Sequence, residues 1–304
     1  MRIRLDIAYD GTHFHGWARQ TNLRTVQGTL EDALALVLGS GHASGHTPGH
    51  TPGGTPGYTP NQTSPTPRLV VAGRTDAGVH AAGQVAHLDL DTQLVDALGR
   101  SRPTYGSPLD LLAQRVRGVL GKYPDITVRN IREAPEGFDA RFSAVWRRYA
   151  YRVADSTTGY DPLERARTTT VNGRLDVEAM DAAARSLIGL HDFAAYCRPR
   201  EGATTIRTLL EFDWRRDENG VLIANVRADA FCHSMVRALV GACVAVGRGR
   251  LSIADVASLR DAGERTSAFP VLAARGLTLV EVGYPADDQL ASRADVTRAR
   301  RDDD

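Results

Sequence analysis

The segment between Gly39 and Arg68 limits where this chain can build a hydrophobic core. A short T-P-G-x unit occurs there three times in succession, over 47–58. Glycine, proline and threonine in this proportion cannot bury enough apolar surface to offset the entropy lost on ordering, so we predict a disordered insertion over 39–68. His42, His46 and His50 lie in it four residues apart, but the prolines prevent a helix from aligning them, which disfavours a metal site. The core must come from the residues on either side.

The overall composition is that of a folded globular protein. Of the 304 residues, 42% are hydrophobic and 24% are charged, which excludes collagen-like, coiled-coil and wholly disordered chains. No apolar run approaches the roughly 18 residues of a membrane span, and the first residues lack the apolar stretch of a signal peptide. Cys197, Cys232 and Cys243 form no C-x-x-C pair, so we expect neither a disulfide nor a zinc site. These features are typical of a reduced, cytoplasmic protein.

Strand and helix patterns alternate along the rest of the chain. Ile3, Leu5 and Ile7 alternate with charged residues, which predicts a half-buried strand, and apolar residues recur at helical spacing over 26–37. A second round of helices and strands begins near Val177, and no G-x-G-x-x-G motif follows a strand. We therefore predict an α+β fold in which antiparallel sheets are flanked by helices. The expected parts are an N-terminal half over 1–145, a similar C-terminal half over 146–285 and a disordered tail over 286–304.

The charges are balanced overall but are distributed unevenly. The formal net charge is +1, and Lys122 is the only lysine among the 37 Lys and Arg residues. A GC-rich coding bias accounts for most of this preference for arginine over lysine, although the planar guanidinium group of arginine also suits phosphate binding. The stretch Arg141–Ala154 contains four arginines and no acidic residue. This cluster is compatible with an anionic partner such as a nucleic acid.

The stretch Gly73–His80 combines residues that could do chemistry. It places Arg74 and Asp76 two residues apart, hence on one side of an extended segment, with glycines that would let the backbone approach a ligand. A nearby cation favours the ionised carboxylate that a nucleophile or general base requires. The alternative is an ordinary Asx turn in which Arg74 is a surface ion partner. The spacing alone leaves both interpretations open.

Two further clusters carry arginines in unusual surroundings. Arginines and aromatic residues interleave over 142–151, where guanidinium groups could bind phosphate while a ring such as that of Tyr149 stacks on an unpaired base. A core tyrosine beside a solvated arginine edge would give the same pattern.

Arg237 enters an otherwise apolar helix predicted to begin at His233. Such a charge requires a partner or a cleft, which makes Arg237 a candidate partner for Asp76.

Several sequence blocks occur together in one order. They make the chain resemble the tRNA pseudouridine synthase A family from about Arg2 to Pro285, and the GRTDAGVHAAGQ block is the most specific of them. The blocks are Tyr9–Gly11, Phe14–Trp17, Gly73–Gln84, Phe138–Ala144 with Arg148–Tyr149, His191–Phe193, Ala230–Phe231 with Met235–Arg237, and Gly276–Leu277.

The resemblance implies a fold, a reaction and a partner. It implies two α+β halves around a central basic cleft, assembled as a homodimer. The expected activity is isomerisation of uridine to pseudouridine at positions 38, 39 and 40 in the anticodon stem-loop of tRNA, without a cofactor or metal.

The resemblance also implies roles for individual residues. Asp76 corresponds to the nucleophile, Arg74 would help to flip the target base, and Arg237 would pair with the carboxylate. Tyr149 would bind and stack on the uracil. We further expect contacts to RNA from a group of basic side chains that comprises Arg141, Arg147 and Arg148.

Two alternatives from other classes remain at this stage. An RNA-binding or RNA-folding protein could keep the cleft without catalysis, but it would have no need of a carboxylate that repels phosphate. An N-glycosidase could use the same Asp76 and would release free uracil, although nothing in the sequence indicates a positioned attacking water.

Overall fold

The structure is a computed structural model, and it describes residues 1–39, 67–100, 106–200 and 204–302. Most of the insertion predicted to be disordered, residues 40–66, lies outside the described residues. The described strands are β1 Arg2–Tyr9, β2 Val70–Val71, β3 His80–Asp89, β4 Ile126–Glu133, β5 Trp146–Ala154, β6 Thr169–Thr170, β7 Gly189–Asp192, β8 Ile206–Arg216, β9 Leu222–Ala228 and β10 Leu277–Gly283. The described helices are α1 Val26–Gly39, α2 Thr92–Arg100, α3 Pro108–Leu120, α4 Val177–Arg185, α5 Met235–Gly247, α6 Ile253–Asp261 and α7 Leu290–Asp302.

The strands form one sheet in the order β4-β1-β3-β10-β5-β9-β8-β7, and β2 and β6 pair with β3 and β5. Neighbours along this path are antiparallel except β3 and β10, which run parallel with Thr278 opposite His80. The α+β class with a mostly antiparallel sheet is confirmed, but the described strands make one continuous sheet rather than separate sheets. Because β10 comes from the end of the chain and lies between β3 and β5, the sheet continues across the predicted boundary at residue 145.

Alternating apolar residues place the core on one side of the strands. Every second residue of β1 is buried, beginning with Ile3, and α5 is buried along almost its whole length because its sequence is apolar apart from Arg237. Helix α3 packs on β4 and α1, while α4 packs on β8 and α5. The two helix pairs therefore cover different parts of the sheet. Among the described residues, no helix is long and apolar enough to cross a membrane.

The C-terminal tail is helical, so the prediction of disorder over 286–304 is wrong for the residues that α7 contains. Leu290 and Ala294 are buried, and Ser143 Oγ donates a hydrogen bond to the Leu290 carbonyl over 3.0 Å. Arg298 donates to Asp139 over 3.0 Å. The tail has too little apolar content to order by itself, and packing against the segment that precedes β5 supplies the missing contacts.

The cysteines also differ from expectation. Cys197 and Cys232 form a disulfide with their Cα atoms 5.7 Å apart, while Cys243 is a buried free thiol. No local pattern indicates this pair, because the two residues are separated by 35 positions and meet only through the tertiary fold. The bridge joins the segment after β7 to the turn that leads into α5.

Candidate active site

The loop that carries Asp76 connects β2 to β3 and is held by the segment after β1. Trp17 N–H donates to the Thr75 carbonyl over 3.0 Å, and the hydroxyls of Tyr9 and Thr75 lie 2.7 Å apart. Gly16 has φ +85°, and a Cβ there would come within 3.0 Å of the Thr75 carbonyl oxygen, so this close approach requires glycine. These contacts fix the backbone on both sides of Asp76.

His80 fixes the end of the same loop. Its Nδ1 accepts a hydrogen bond from Gly11 N–H over 3.0 Å, and its Nε2 lies 2.9 Å from the Ala166 carbonyl and 3.0 Å from the Arg275 carbonyl. Because both partners of Nε2 are acceptors, Nε2 carries a proton. His80 therefore links the loop to segments from both halves of the chain.

The carboxylate of Asp76 faces two side chains from the start of α5. Asp76 Oδ1 lies 3.5 Å from His233 Nε2, and Asp76 Oδ2 lies 3.7 Å from Arg237 Nη1. Both distances exceed the 2.7–3.2 Å or so of a normal hydrogen bond. The side chain of Asp76 is 36% exposed, so each oxygen has a loose partner and remains accessible from the cleft.

The first turn of α5 places Arg237. Its Nε donates to the Leu272 carbonyl over 2.7 Å, and Leu272 N–H donates back to the Arg237 carbonyl over 3.2 Å. These two hydrogen bonds direct the outer nitrogens of the Arg237 guanidinium toward Asp76. The sequence indicates Asp76 and Arg237 as a candidate pair on physical grounds. The structure brings the two residues together, although 160 residues of chain lie between them.

Tyr149 lies beneath the cleft rather than on its wall. It is 8% exposed, and its ring meets that of Phe231 edge-on with centroids 5.1 Å apart. Burial raises the pKa of its hydroxyl, and the charge of Asp76 adds a smaller effect in the same direction. The side chain is therefore a neutral phenol at physiological pH, placed behind Phe231.

The cleft itself encloses about 480 Å³ between the two halves. This volume falls in the range of roughly 300–1,000 Å³ found for small-molecule sites. Its wall is polar and predominantly basic. The side chains that line it include His15, Trp17, Gln20, Arg74, Asp76, Arg198, His233 and Arg237.

The three arginines predicted to contact RNA lie elsewhere. Arg147 donates to the carbonyls of Asp229, Ala72 and Arg141 at 2.7, 2.8 and 3.1 Å, and burial lowers the pKa of its guanidinium. Its donors are thus used to tie the Asp76 loop to the segment ahead of α5. This arrangement does not agree with the expected contact to phosphate.

Arg148 points to the opposite face of β5, because successive side chains of a strand alternate. Its guanidinium lies over Trp146 and within 4 Å of Glu211 and Glu281. Arg141 is exposed and its guanidinium stacks on Phe142 at 5.2 Å, outside the cleft lining. The basic side chains in the cleft are instead Arg74, Arg198 and Arg237.

Sequence reasoning missed His233 and Arg198 as cleft residues. His233 precedes Arg237 by four positions, a spacing that could have indicated a shared helical face. Arg198 carried no comparable signal. It reaches the cleft because its N–H donates to the His233 carbonyl over 2.9 Å, next to the disulfide of Cys197 and Cys232.

Comparison with known proteins places this chain among a group of close relatives. A family model described as tRNA pseudouridine synthase matches residues 183–285. The tRNA pseudouridine synthase A of Leifsonia xyli is 58% identical, covering 99% of this chain and 97% of its own length. The proteins of the same name from Frankia casuarinae and Streptomyces avermitilis are 50% and 49% identical, each covering 99% of this chain and 96% or 94% of its own length. Identity at this level over nearly the whole length shows that the chain belongs to the tRNA pseudouridine synthase A family.

Proposed function

We propose that this protein isomerises uridine to pseudouridine at positions 38, 39 and 40 in the anticodon stem-loop of tRNA, with Asp76 as the nucleophile. The observation that carries the proposal is the carboxylate of Asp76, which is accessible in a basic cleft and has partners no closer than 3.5 Å. Family membership supports tRNA as the substrate and isomerisation as the reaction.

The reaction needs a group that can hold the ribose while the base turns. The N1–C1′ bond breaks, the uracil rotates, and a C5–C1′ bond forms. A carboxylate can attack C1′ directly, or it can assist formation of a glycal. Asp76 suits either route because loose pairing with His233 and Arg237 leaves its oxygens free to approach an electrophilic carbon.

The target uridine must leave the stack of the RNA helix to reach Asp76, at a cost of a few kcal/mol. Arg74 is exposed on the same loop two residues before Asp76, so we assign it the task of filling the space that the base vacates. Tyr149 would form the platform for the uracil. Its position behind Phe231 implies that Phe231 shifts when the base enters.

Phosphate contacts would supply most of the affinity for tRNA, which makes binding strongly dependent on salt. We assign these contacts within the cleft to Arg74 and Arg198, both of which line it. Arg141 is exposed beyond the cleft and would meet the RNA there.

The proposal includes a homodimer. Besides the family resemblance, the support is a group of exposed apolar side chains on one face at the β7 edge of the sheet, which a second copy would cover. They are Leu190, Ile206 and Leu210, with 67%, 54% and 39% exposure. Light scattering on the full chain measures the mass in solution directly.

The decisive experiment is tritium release from tRNA labelled at C5 of uridine, because C5 loses its hydrogen only when the new carbon–carbon bond forms there. Wild type should release tritium, whereas Asp76→Ala and Asp76→Asn should not, although both should still bind tRNA. Asp288→Ala is a matched control, since Asp288 is exposed and lies outside the cleft lining.

The other outcomes separate the alternatives. Turnover by Asp76→Ala at the wild-type rate would refute the assignment of the nucleophile. Binding of tRNA without tritium release by the wild type would indicate an RNA-binding or RNA-folding protein, and free uracil would indicate an N-glycosidase.

A further inference from the structure

We propose that His233 is the acid–base group of this reaction, which takes the proton from C5 of the rotated uracil and returns it to N1. The inference rests on the proposed function and adds a catalytic residue to it. It follows from the position of His233, from the rigidity of the turn that holds it, and from the proton balance of the isomerisation.

His233 shares the cleft with Asp76 and has no other polar side-chain partner among the residues that the structure describes. Its Nε2 lies 3.5 Å from Asp76 Oδ1, too far for a strong hydrogen bond, and its side chain is 43% exposed. A uracil turning over the ribose carbon bound at Asp76 would therefore pass within reach of this nitrogen. The exposed part of the ring also allows exchange of protons with solvent.

The backbone around His233 is fixed in a conformation that proteins usually avoid. Ser234 has φ 65° and ψ 5°, in the left-handed region that a non-glycine residue adopts only at an energetic cost. Met235 N–H donates to the Cys232 carbonyl over 3.1 Å, which closes a turn with Ser234 in the position that favours glycine in type II turns. Two contacts with the segment after β7 hold this turn. One is the hydrogen bond that Arg198 N–H donates to the His233 carbonyl, and the other is the disulfide between Cys197 and Cys232. Backbone strain of this kind is concentrated at functional sites, and here the strained turn orients the imidazole of His233 toward Asp76.

The isomerisation requires a proton to move between two atoms of the same base. After C5 has bonded to C1′ and the carboxylate has left, C5 still carries its hydrogen and N1 has a double bond to C6. A base removes the C5 proton, the electron pair forms the C5–C6 double bond, and the C6–N1 π electrons move onto N1, which takes up a proton. A neutral imidazole that accepts the first proton can donate it in the second step and is regenerated.

The other charged groups facing this part of the cleft are less suited to that exchange. The guanidinium groups stay protonated at all physiological pH values. Asp76 has just been released from C1′, and Arg237 lies 3.7 Å from its other oxygen. An imidazole can both accept and donate a proton near neutral pH. The titratable and charged side chains around the site are His15, Arg74, Asp76, Arg198, His233 and Arg237.

The test compares His233→Gln and His233→Ala with wild type in single-turnover reactions on tRNA that carries hydrogen or deuterium at C5. Loss of a general acid–base group lowers the rate by about 10²- to 10⁴-fold, and we expect this loss in both variants with tRNA affinity unchanged. The C5 isotope effect should rise because proton removal becomes rate-limiting. The pH profile of the wild-type rate should contain a step that His233→Gln loses. Free imidazole should restore part of the rate of His233→Ala.

The matched control is His13→Gln, which changes an exposed histidine outside the cleft lining and should react like wild type. The inference is overturned if His233→Gln keeps the wild-type rate, isotope effect and pH profile. It is also overturned if a slower His233→Ala shows no rescue by imidazole and no change in the isotope effect, because His233 would then only support the local structure. A wild type without any tritium release would instead refute the proposed function, so the two failures are distinguishable.

Discussion

Replacement of Arg147 by methionine should destabilise this protein far more than the same change at its neighbour Arg148. Both residues come from the basic cluster of β5, and the sequence gives no reason to treat them differently. The structure places the Arg147 guanidinium among three backbone carbonyls and the Arg148 guanidinium on the opposite face of the sheet, 34% exposed.

The magnitude follows from the hydrogen bonds that are lost. A bond from a charged donor contributes about 1.5–3 kcal/mol, and an unsatisfied buried acceptor costs about 1–3 kcal/mol. The Arg141 carbonyl is exposed enough for water to replace Arg147, whereas the carbonyls of Ala72 and Asp229 are partly buried. Counting those two bonds gives a loss of about 3–6 kcal/mol for Arg147→Met. Arg148→Met removes ion pairs of 3.8 and 3.9 Å with Glu281 and Glu211, which contribute less than about 1 kcal/mol.

Urea unfolding monitored by circular dichroism measures both free energies, with the slope m as a check that the same surface is exposed on unfolding. Arg147→Lys tests the geometry, because a single ammonium group cannot reproduce the planar fork that reaches carbonyls from separate segments. We expect it to recover only part of the loss. If Arg147→Met and Arg148→Met lowered the free energy of unfolding equally, the assignment of Arg147 as a link between the Asp76 loop and the segment ahead of α5 would be refuted.

Two further predictions concern stability and pH. Asp155 is buried and accepts hydrogen bonds from Arg216 and from the backbone of Thr157 and Leu175, and these bonds hold the pKa of its carboxyl well below the ordinary value. A lowered pKa in the folded state stabilises the protein above the unfolded pKa of about 3.9, and this contribution disappears as the pH falls toward the folded value. Asp155→Asn should therefore cost about 3–5 kcal/mol at pH 7 and about 1 kcal/mol less at pH 3, as urea unfolding at both values would show; an equal loss at both would contradict this reasoning. Ser234→Gly should raise the free energy of unfolding by up to about 1 kcal/mol because glycine accepts φ 65° without strain, and a calorimetric melting temperature below that of wild type would show that Ser234 is not strained.

The predictions from sequence succeeded where chemistry or periodicity is local. The alternation of Ile3, Leu5 and Ile7 gave β1, and helical spacing gave α1, because each pattern matches the repeat of one element. Strand β4 was missed because its pairing with β1 shifts register between Asp6 and Ile7, which breaks the alternation of its buried residues. A local irregularity of this kind is imposed by the neighbouring strand and leaves no simple signal in the sequence.

Asp76 and Arg237 could be selected from the sequence because a carboxylate between glycines and an arginine in an apolar helix are both unusual, and each needs a physical reason. The same reasoning could not separate Arg147 from Arg148. Aromatic residues occur on both faces of β5, with Trp146 on one and Tyr149 on the other, so either face could have been the buried one. The choice depends on which face the helices cover.

Residue patterns alone were enough to predict the class of fold, the regular strands and helices, and Asp76 and Arg237 as residues that need a partner. Which side chains share the cleft depended on the tertiary fold. His233 reaches Asp76 because a strained turn and a distant cysteine hold it there, and α7 is ordered because Leu290 finds a buried site next to Ser143. These outcomes depend on contacts between segments far apart in the chain, whose free energies no local pattern of residues encodes.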